Sequence, residues 1–248
     1  MKQIRPLLYF LVLFWTCPPL HAQQFQQLIP GLEYGTWSPP TLKINLHLLR
    51  IDLTQLQLIP IDGRQLGRTA MTVKEMGRET GALAVINANF FNGLNKPLGL
   101  VLKEGKILNP FHPTRWWASF LTKGAQAKIL KAFEKTQIRG FENGIQAGPR
   151  LVVAGRSPKL KEKSSPKSAI GIDAKGRVLL LVSQENVEIN SFARILATPL
   201  KEGGLGLKHA LNLDGGSSTQ FYLKAGSKEV WLPGLSKVPV GLGVFPKS

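Results

Sequence analysis

Apolar side chains fall on alternate positions from residue 42 onward. Leu42, Ile44, Leu46 and Leu48 alternate with Lys43, Asn45 and His47, the two-residue period of a strand with one buried face. The phase slips at Leu48-Leu49 before Ile51 and Leu53 resume it, which predicts a bulge. Residues 56–61 make the next strand, closed by Asp62-Gly63. Thr72-Val73-Lys74-Glu75 has capping-box spacing and predicts a short helix ending near Gly81. Leu83-Ala84-Val85-Ile86 is then uniformly apolar, the pattern of a buried strand, and it delivers the polar run Asn87-Ala88-Asn89 at its end.

The second half repeats this rhythm. Residues 98–102 and 106–108 flank Glu104-Gly105 as a hairpin, and residues 116–121 and 127–133 read as further antiparallel strands. Leu151-Val152-Val153 is a short apolar strand, followed by a polar Lys/Ser/Pro loop over residues 156–166 that is expected to be mobile. Residues 169–172 and 178–182 flank Asp173-Ala174-Lys175-Gly176, another hairpin. Asn190 is placed to cap a helix that buries Phe192, Ala193, Ile195 and Leu196. A strand through Ala210, Leu211 and Leu213, then residues 220–223 and 238–245, completes the chain. Many short antiparallel strands with two or three helices, and neither repeat nor linker, place the chain in the α+β class, with a mostly antiparallel or mixed sheet.

Composition and charge narrow this picture. Over 248 residues, 43% hydrophobic, one domain with a sizeable core is expected. Lys2 and Arg5, an apolar run over residues 7–15 and Leu20-His21-Ala22 form the charged, apolar and small-residue order of an export signal. Residues 1–22 are therefore expected to leave, with cleavage near Ala22, and residues 23–248 to form the exported periplasmic or secreted domain. The apolar run is too short for a comfortable membrane span. Cys17, the single cysteine, leaves with the signal, so no disulfide or thiolate chemistry is expected. The 32 Lys and Arg against 15 Asp and Glu call for an anionic partner. No helix-turn-helix, zinc-finger spacing or RNA-binding aromatic signature accompanies them, so nucleic acid is not expected.

Four stretches join an apolar strand to a polar, glycine-containing turn: residues 87–93, 146–150, 167–171 and 212–218. In the last, Asn212-Leu213-Asp214-Gly215-Gly216-Ser217-Ser218 ends a strand at a carboxylate, two glycines and two hydroxyls, a backbone able to form an anion-binding nest. Together, Asn87-Ala88-Asn89-Phe90-Phe91, Gly148-Pro149 before Leu151-Val152, Lys167-Ser168-Ala169-Ile170-Gly171 and Asn212 to Gly216 resemble the phosphodiester glycosidase family over residues 83–245. Two positions depart from the family pattern: Ala88 stands where glycine is usual, and Lys167 where arginine is.

The resemblance implies hydrolysis of the bond between an anomeric carbon and phosphate in a sugar-1-phosphodiester, in exopolysaccharide or cell-envelope glycan metabolism. Asp214 is the one carboxylate within the matched motifs and is expected as nucleophile or base, with Asn212 and Asn87 beside it. Phosphate is a good leaving group, its second pKa being about 6, so the paired carboxylates of ordinary glycosidases are less needed. Substrate contacts are expected from Asn89, Phe91, Gly148, Arg150, Lys167, Ser168, Gly215, Gly216, Ser217 and Ser218. Asn87, Asn212 and Asp214 are also hard oxygen ligands, which leaves a Ca²⁺ or Mg²⁺ site open. The four histidines lack metal-ligand spacing. The alternative function is a non-catalytic binding or accessory protein for an anionic polysaccharide.

Overall fold

The computed structural model describes residues 25–131 and 135–247; the expected export signal lies outside the described residues. Three antiparallel sheets share one core. A seven-stranded sheet runs in the spatial order Gln26–Ile29, Leu32–Trp37, Leu46–Ile51, Val178–Glu188, Ser164–Ile172, His209–Asn212, Arg150–Val152. One five-stranded sheet is ordered Lys106–Asn109, Val101–Lys103, Asn143–Ala147, Ala118–Lys123, Gln126–Leu130. The other is ordered Lys228–Leu232, Phe221–Ala225, Ala84–Asn87, Val240–Pro246, Leu56–Asp62. Their inner faces meet in a central core that includes Leu49, Leu180 and Leu211 from the first sheet, Phe120 and Ile145 from the second, and Ile86 and Leu242 from the third.

The expected bulge at Leu48-Leu49 does not form. The strand Leu46–Ile51 keeps an unbroken register on both neighbours, with Leu48 opposite Leu181 and Leu49 opposite Leu180. Both leucines are buried because both faces of this sheet are covered. Leu49 and Ile51 face the central core, whereas Leu46 and Leu48 face a second core built under helix α2 (Ile189–Ala197). A double-sided strand imitates a phase slip, because alternation reports burial only where one face stays wet.

Helix α1 (Val73–Thr80) covers the outer face of the third sheet. Its capping box forms as expected, with Glu75 N–H donating to Thr72 Oγ1 at 3.2 Å and Thr72 N–H to Glu75 Oε2 at 2.7 Å. Helix α2 is capped two residues earlier than Asn190 would place it, by Glu188. Glu188 accepts from the Asn190 and Ser191 N–H groups at 2.9 and 2.8 Å. The Asn190 side chain instead brackets Leu160, accepting from its N–H at 2.8 Å and donating to its carbonyl at 3.0 Å. The segment expected to be a mobile loop is thus tied to the helix, and its last residues enter the strand Ser164–Ile172.

Helix α1 packs so closely that Gly77 is required. A Cβ there would lie 2.5 Å from Cδ1 of the buried Tyr222 ring. Helix propensity favours alanine by about 1 kcal/mol, but forcing the ring aside costs about 1–3 kcal/mol. Gly77→Ala is expected to lower thermal stability by calorimetry; a rise in melting temperature would show that the ring yields freely.

Candidate active site

The strand Ala84–Asn87 of the third sheet and the strand His209–Asn212 of the first end side by side. What joins them is the side chain of Asn87, fully buried. Its Nδ2 donates to the Asp214 carbonyl at 2.6 Å, and its Oδ1 accepts from the Ser168 hydroxyl at 2.7 Å and the Gln220 N–H at 3.1 Å. Asp214 N–H in turn donates to the Ala88 carbonyl at 3.0 Å. Asn87 and Ser168 therefore hold the backbone that carries Asp214. Their polar side-chain atoms are committed to protein partners, so both position the backbone of Asp214, in place of the catalytic role expected of Asn87 and the substrate contact expected of Ser168. Gln220, which no motif marked, completes the junction.

Ala88 is itself fully buried and joins the central core. It is absent from the positive-φ residues, so its backbone does not need the freedom of glycine. This departure leaves the junction intact.

Above the junction opens a cavity of about 670 Å³, lined among others by Asp214, Asn212, Lys167, Gly148, Phe90 and Trp116. A larger cleft of about 1,020 Å³, between the Glu104-Gly105 turn and residues 136–142, holds none of the motif residues. The smaller cavity is the one that Asp214 lines. Burial pushes its carboxyl up to about 6, while hydrogen bonds from Ser218 and the Gly215 N–H, and the charge of Lys163, pull the other way. Gly215 N–H donates to Asp214 Oδ1 at 3.0 Å, so this part of the expected anion nest is engaged by the protein's own carboxylate.

Lys167 is buried and lines the same cavity. Burial, reinforced by the charge of Lys163, brings its ammonium down to about 8, with Glu188 opposing. Nζ donates to the Ser165 carbonyl at 3.0 Å and to the Ser165 hydroxyl at 2.6 Å. An ammonium has three N–H donors, which leaves one for a ligand. It supplies a single point of charge where a guanidinium would supply a planar fork.

Asn212 is held by Nδ2, which donates to the Gly148 carbonyl at 3.2 Å and the Leu213 carbonyl at 2.6 Å; its buried Oδ1 has no partner. Gly148 makes close packing possible: a Cβ there would lie 2.9 Å from Trp117 Cα. The aromatic wall comes from Phe90, stacked on Trp117 with centroids 5.1 Å apart, and from Trp116, 58% exposed. Phe91 turns away instead, bridging to Pro97 and packing with the core beneath α1. A Phe-Phe pair at a strand end must send its rings in opposite directions, and sequence alone does not say which faces the cavity.

The remaining expected residues lie elsewhere. Asn89 is buried and donates to the Leu98, Leu100 and Gln146 carbonyls, pinning a neighbouring loop. Arg150, Gly216 and Ser217 do not line the cavity, and Ser218 reaches it through its hydrogen bond to the Asp214 carboxyl; Arg150 instead helps hold His209 below its ordinary range, behind the larger effect of burial. The Ca²⁺ or Mg²⁺ expectation meets a poor donor set. Asn87 Oδ1 already accepts two hydrogen bonds, which leaves one carboxylate and one amide oxygen beside a lysine, whereas Ca²⁺ takes six to eight oxygens. Among the described residues no cluster of three His, Cys, Asp or Glu gathers. These residues do not fit a divalent cation.

The family model for phosphodiester glycosidases matches residues 80–245. No curated protein matches the chain significantly. Among solved structures, a "hypothetical protein" from Synechocystis is 18% identical with a TM-score of 0.64; the alignment covers 94% of this chain and 64% of that one. The auto-inhibited catalytic domain of zebrafish N-acetylglucosamine-1-phosphodiester alpha-N-acetylglucosaminidase is 16% identical with a TM-score of 0.69, covering 92% of this chain and 88% of that one. At such identities the likeness is one of fold.

The raised carboxyl of Asp214 has a consequence for stability. Between its ordinary value of 3.8 and about 6 the folded chain holds this proton more tightly than the unfolded chain does. Stability is therefore lost as pH rises through that window, by about 3 kcal/mol once both states are ionised. Asp214→Asn removes the titration. The variant is expected to melt above the wild type at pH 7.5 and level with it near pH 3.5, by calorimetry; equal melting at both would show that Asp214 is not desolvated.

Proposed function

The chain belongs to the phosphodiester glycosidase family, and on that premise we propose that it hydrolyses a sugar-1-phosphodiester, releasing the sugar from its anomeric carbon. The observation that carries this reading is a single desolvated carboxylate, Asp214, sharing a cavity with a buried lysine, Lys167. A phosphodiester presents one negative charge beside an electrophilic anomeric carbon. Lys167 suits the first and Asp214 the second.

In this mechanism the phosphate lies against Lys167, whose remaining N–H donates to a non-bridging oxygen. The sugar ring lies along Phe90 and Trp116, whose apolar faces suit the C–H side of a pyranose. Asp214, ionised above about pH 6, either takes the proton of a water that attacks the anomeric carbon, or attacks that carbon itself to give a glycosyl ester that water then hydrolyses to the free sugar. The bond from that carbon to oxygen breaks, and its electron pair leaves on the phosphate. Because the departing group is a phosphate monoester, no second carboxylic acid has to protonate it. Burial serves the reaction by making the carboxylate more basic than in water.

Two further elements belong to the reading. The charged, apolar and small-residue order of the first 22 residues supports an exported, periplasmic or secreted protein. An extracytoplasmic glycan, such as an exopolysaccharide or envelope polymer, is then the source of substrate. Recovery from culture of a protein whose N-terminus begins near residue 23 is the expected outcome; a cytoplasmic protein still bearing Met1 would refute the export.

The catalytic test is incubation with an N-acetylglucosamine-1-phosphodiester and measurement of free reducing sugar. Asp214→Asn is expected to lower kcat/KM by about 10²–10⁴-fold, the range for a lost general base. Wild-type kcat/KM should rise with pH through about 6 as Asp214 ionises and fall through about 8 as Lys167 loses its proton. Lys167→Arg should abolish the alkaline fall. Turnover unaffected by Asp214→Asn sinks the mechanism, and salt-sensitive binding without turnover favours the polysaccharide-binding alternative.

A further inference from the structure

The cavity has a second cationic feature that hydrolysis of one phosphodiester does not use. Lys159, Lys161 and Lys163 line its rim, along with Glu162. All three lysines are exposed, and among the described residues neither Lys159 nor Lys161 meets a carboxylate. Such lysines on a free loop would be an ordinary solvated face. This stretch is anchored instead: Leu160 packs on the core under α2, both its backbone groups are bonded by Asn190, and the Lys163 carbonyl accepts from Ile189 N–H at 3.1 Å. With Leu160 turned inward, Lys159 and Lys161 on either side are held outward. In an extended chain residues 159 and 163 lie roughly 13 Å apart, longer than one phosphate requires.

Around the cavity, four lysines (159, 161, 163, 167) face two carboxylates (Glu162, Asp214). The whole chain carries a formal charge of +17, so the rim's field is not offset at a distance. A small diester with one negative charge leaves this rim unanswered. Extending the reading given under Proposed function, on which it rests, we propose that the substrate is a polymer of sugars joined by repeated phosphodiesters. One such group enters the cavity, and the rim at Lys159 and Lys161 holds the next. The rim sets affinity and direction of approach, whereas Asp214 and Lys167 act on the bond.

The test uses a Lys159→Gln/Lys161→Gln double variant. Lys163 is left in place because its charge also acts on Asp214 and Lys167. KM is measured for an N-acetylglucosamine-1-phosphodiester carrying one phosphate and for a synthetic oligomer of four such units, at low and high salt. In the variant, KM for the oligomer is expected to rise about fivefold to tenfold and to lose part of its salt dependence, with KM for the monomer within about twofold of wild type. A rise shared equally by both substrates, or by neither, overturns the proposal. If wild-type protein turns over neither substrate, the hydrolytic reading fails on its own. The rim is then judged by calorimetric binding of the oligomer: weaker binding by the double variant sustains it, and unchanged binding overturns it.

Discussion

One buried amide holds the candidate site together. Asn87 sits at the end of a strand in one sheet, and its side chain reaches into the other, taking the Asp214 carbonyl, the Ser168 hydroxyl and the Gln220 N–H at once. Both ends of the amide are occupied and no solvent reaches it. Losing it would strand three buried polar groups, each costing about 1–3 kcal/mol. The carboxylate therefore stands on a junction between two sheets, where small displacements of either are resisted by the other.

That junction explains how a largely buried carboxyl is held in place. Asp214 must lose much of its hydration for its carboxyl to rise to about 6, a cost the fold tolerates because the main chain on both sides of it is secured. Its own Gly215 N–H and Ser218 limit the rise, so the group still ionises near neutrality. Lys167 is tuned in the opposite direction by the same burial. The two groups share one cavity and are pushed toward each other in pKa by the same burial.

Much was legible in the chain. The apolar run Ala84-Val85-Ile86, the capping box at Thr72 and the hairpin at Asp173–Gly176 all foretold elements that form, whereas the alternation over residues 42–45 precedes its strand, which begins at Leu46. The motif asparagines were recognisable as important, but their roles were not. Asn87 read as a partner of Asp214 in the chemistry and Asn89 as a substrate contact, and both are instead turned inward onto protein carbonyls. An asparagine at a strand end carries the same signal whether it faces a substrate or another sheet. Leu48-Leu49 failed for a related reason, since a strand covered on both faces has no polar phase to read.

The sequence by itself determined the α+β class, the family and the one carboxylate that falls within the matched motifs. Each depends on local pattern: period, cap spacing, and the order of four short motifs. Only the tertiary structure decided which of Phe90 and Phe91 lines the cavity, which asparagines serve as struts, and that a lysine-rich stretch forms its rim. Those outcomes depend on which elements meet across more than a hundred residues of chain, as Asn87 and Asp214 do, and no local pattern encodes that meeting.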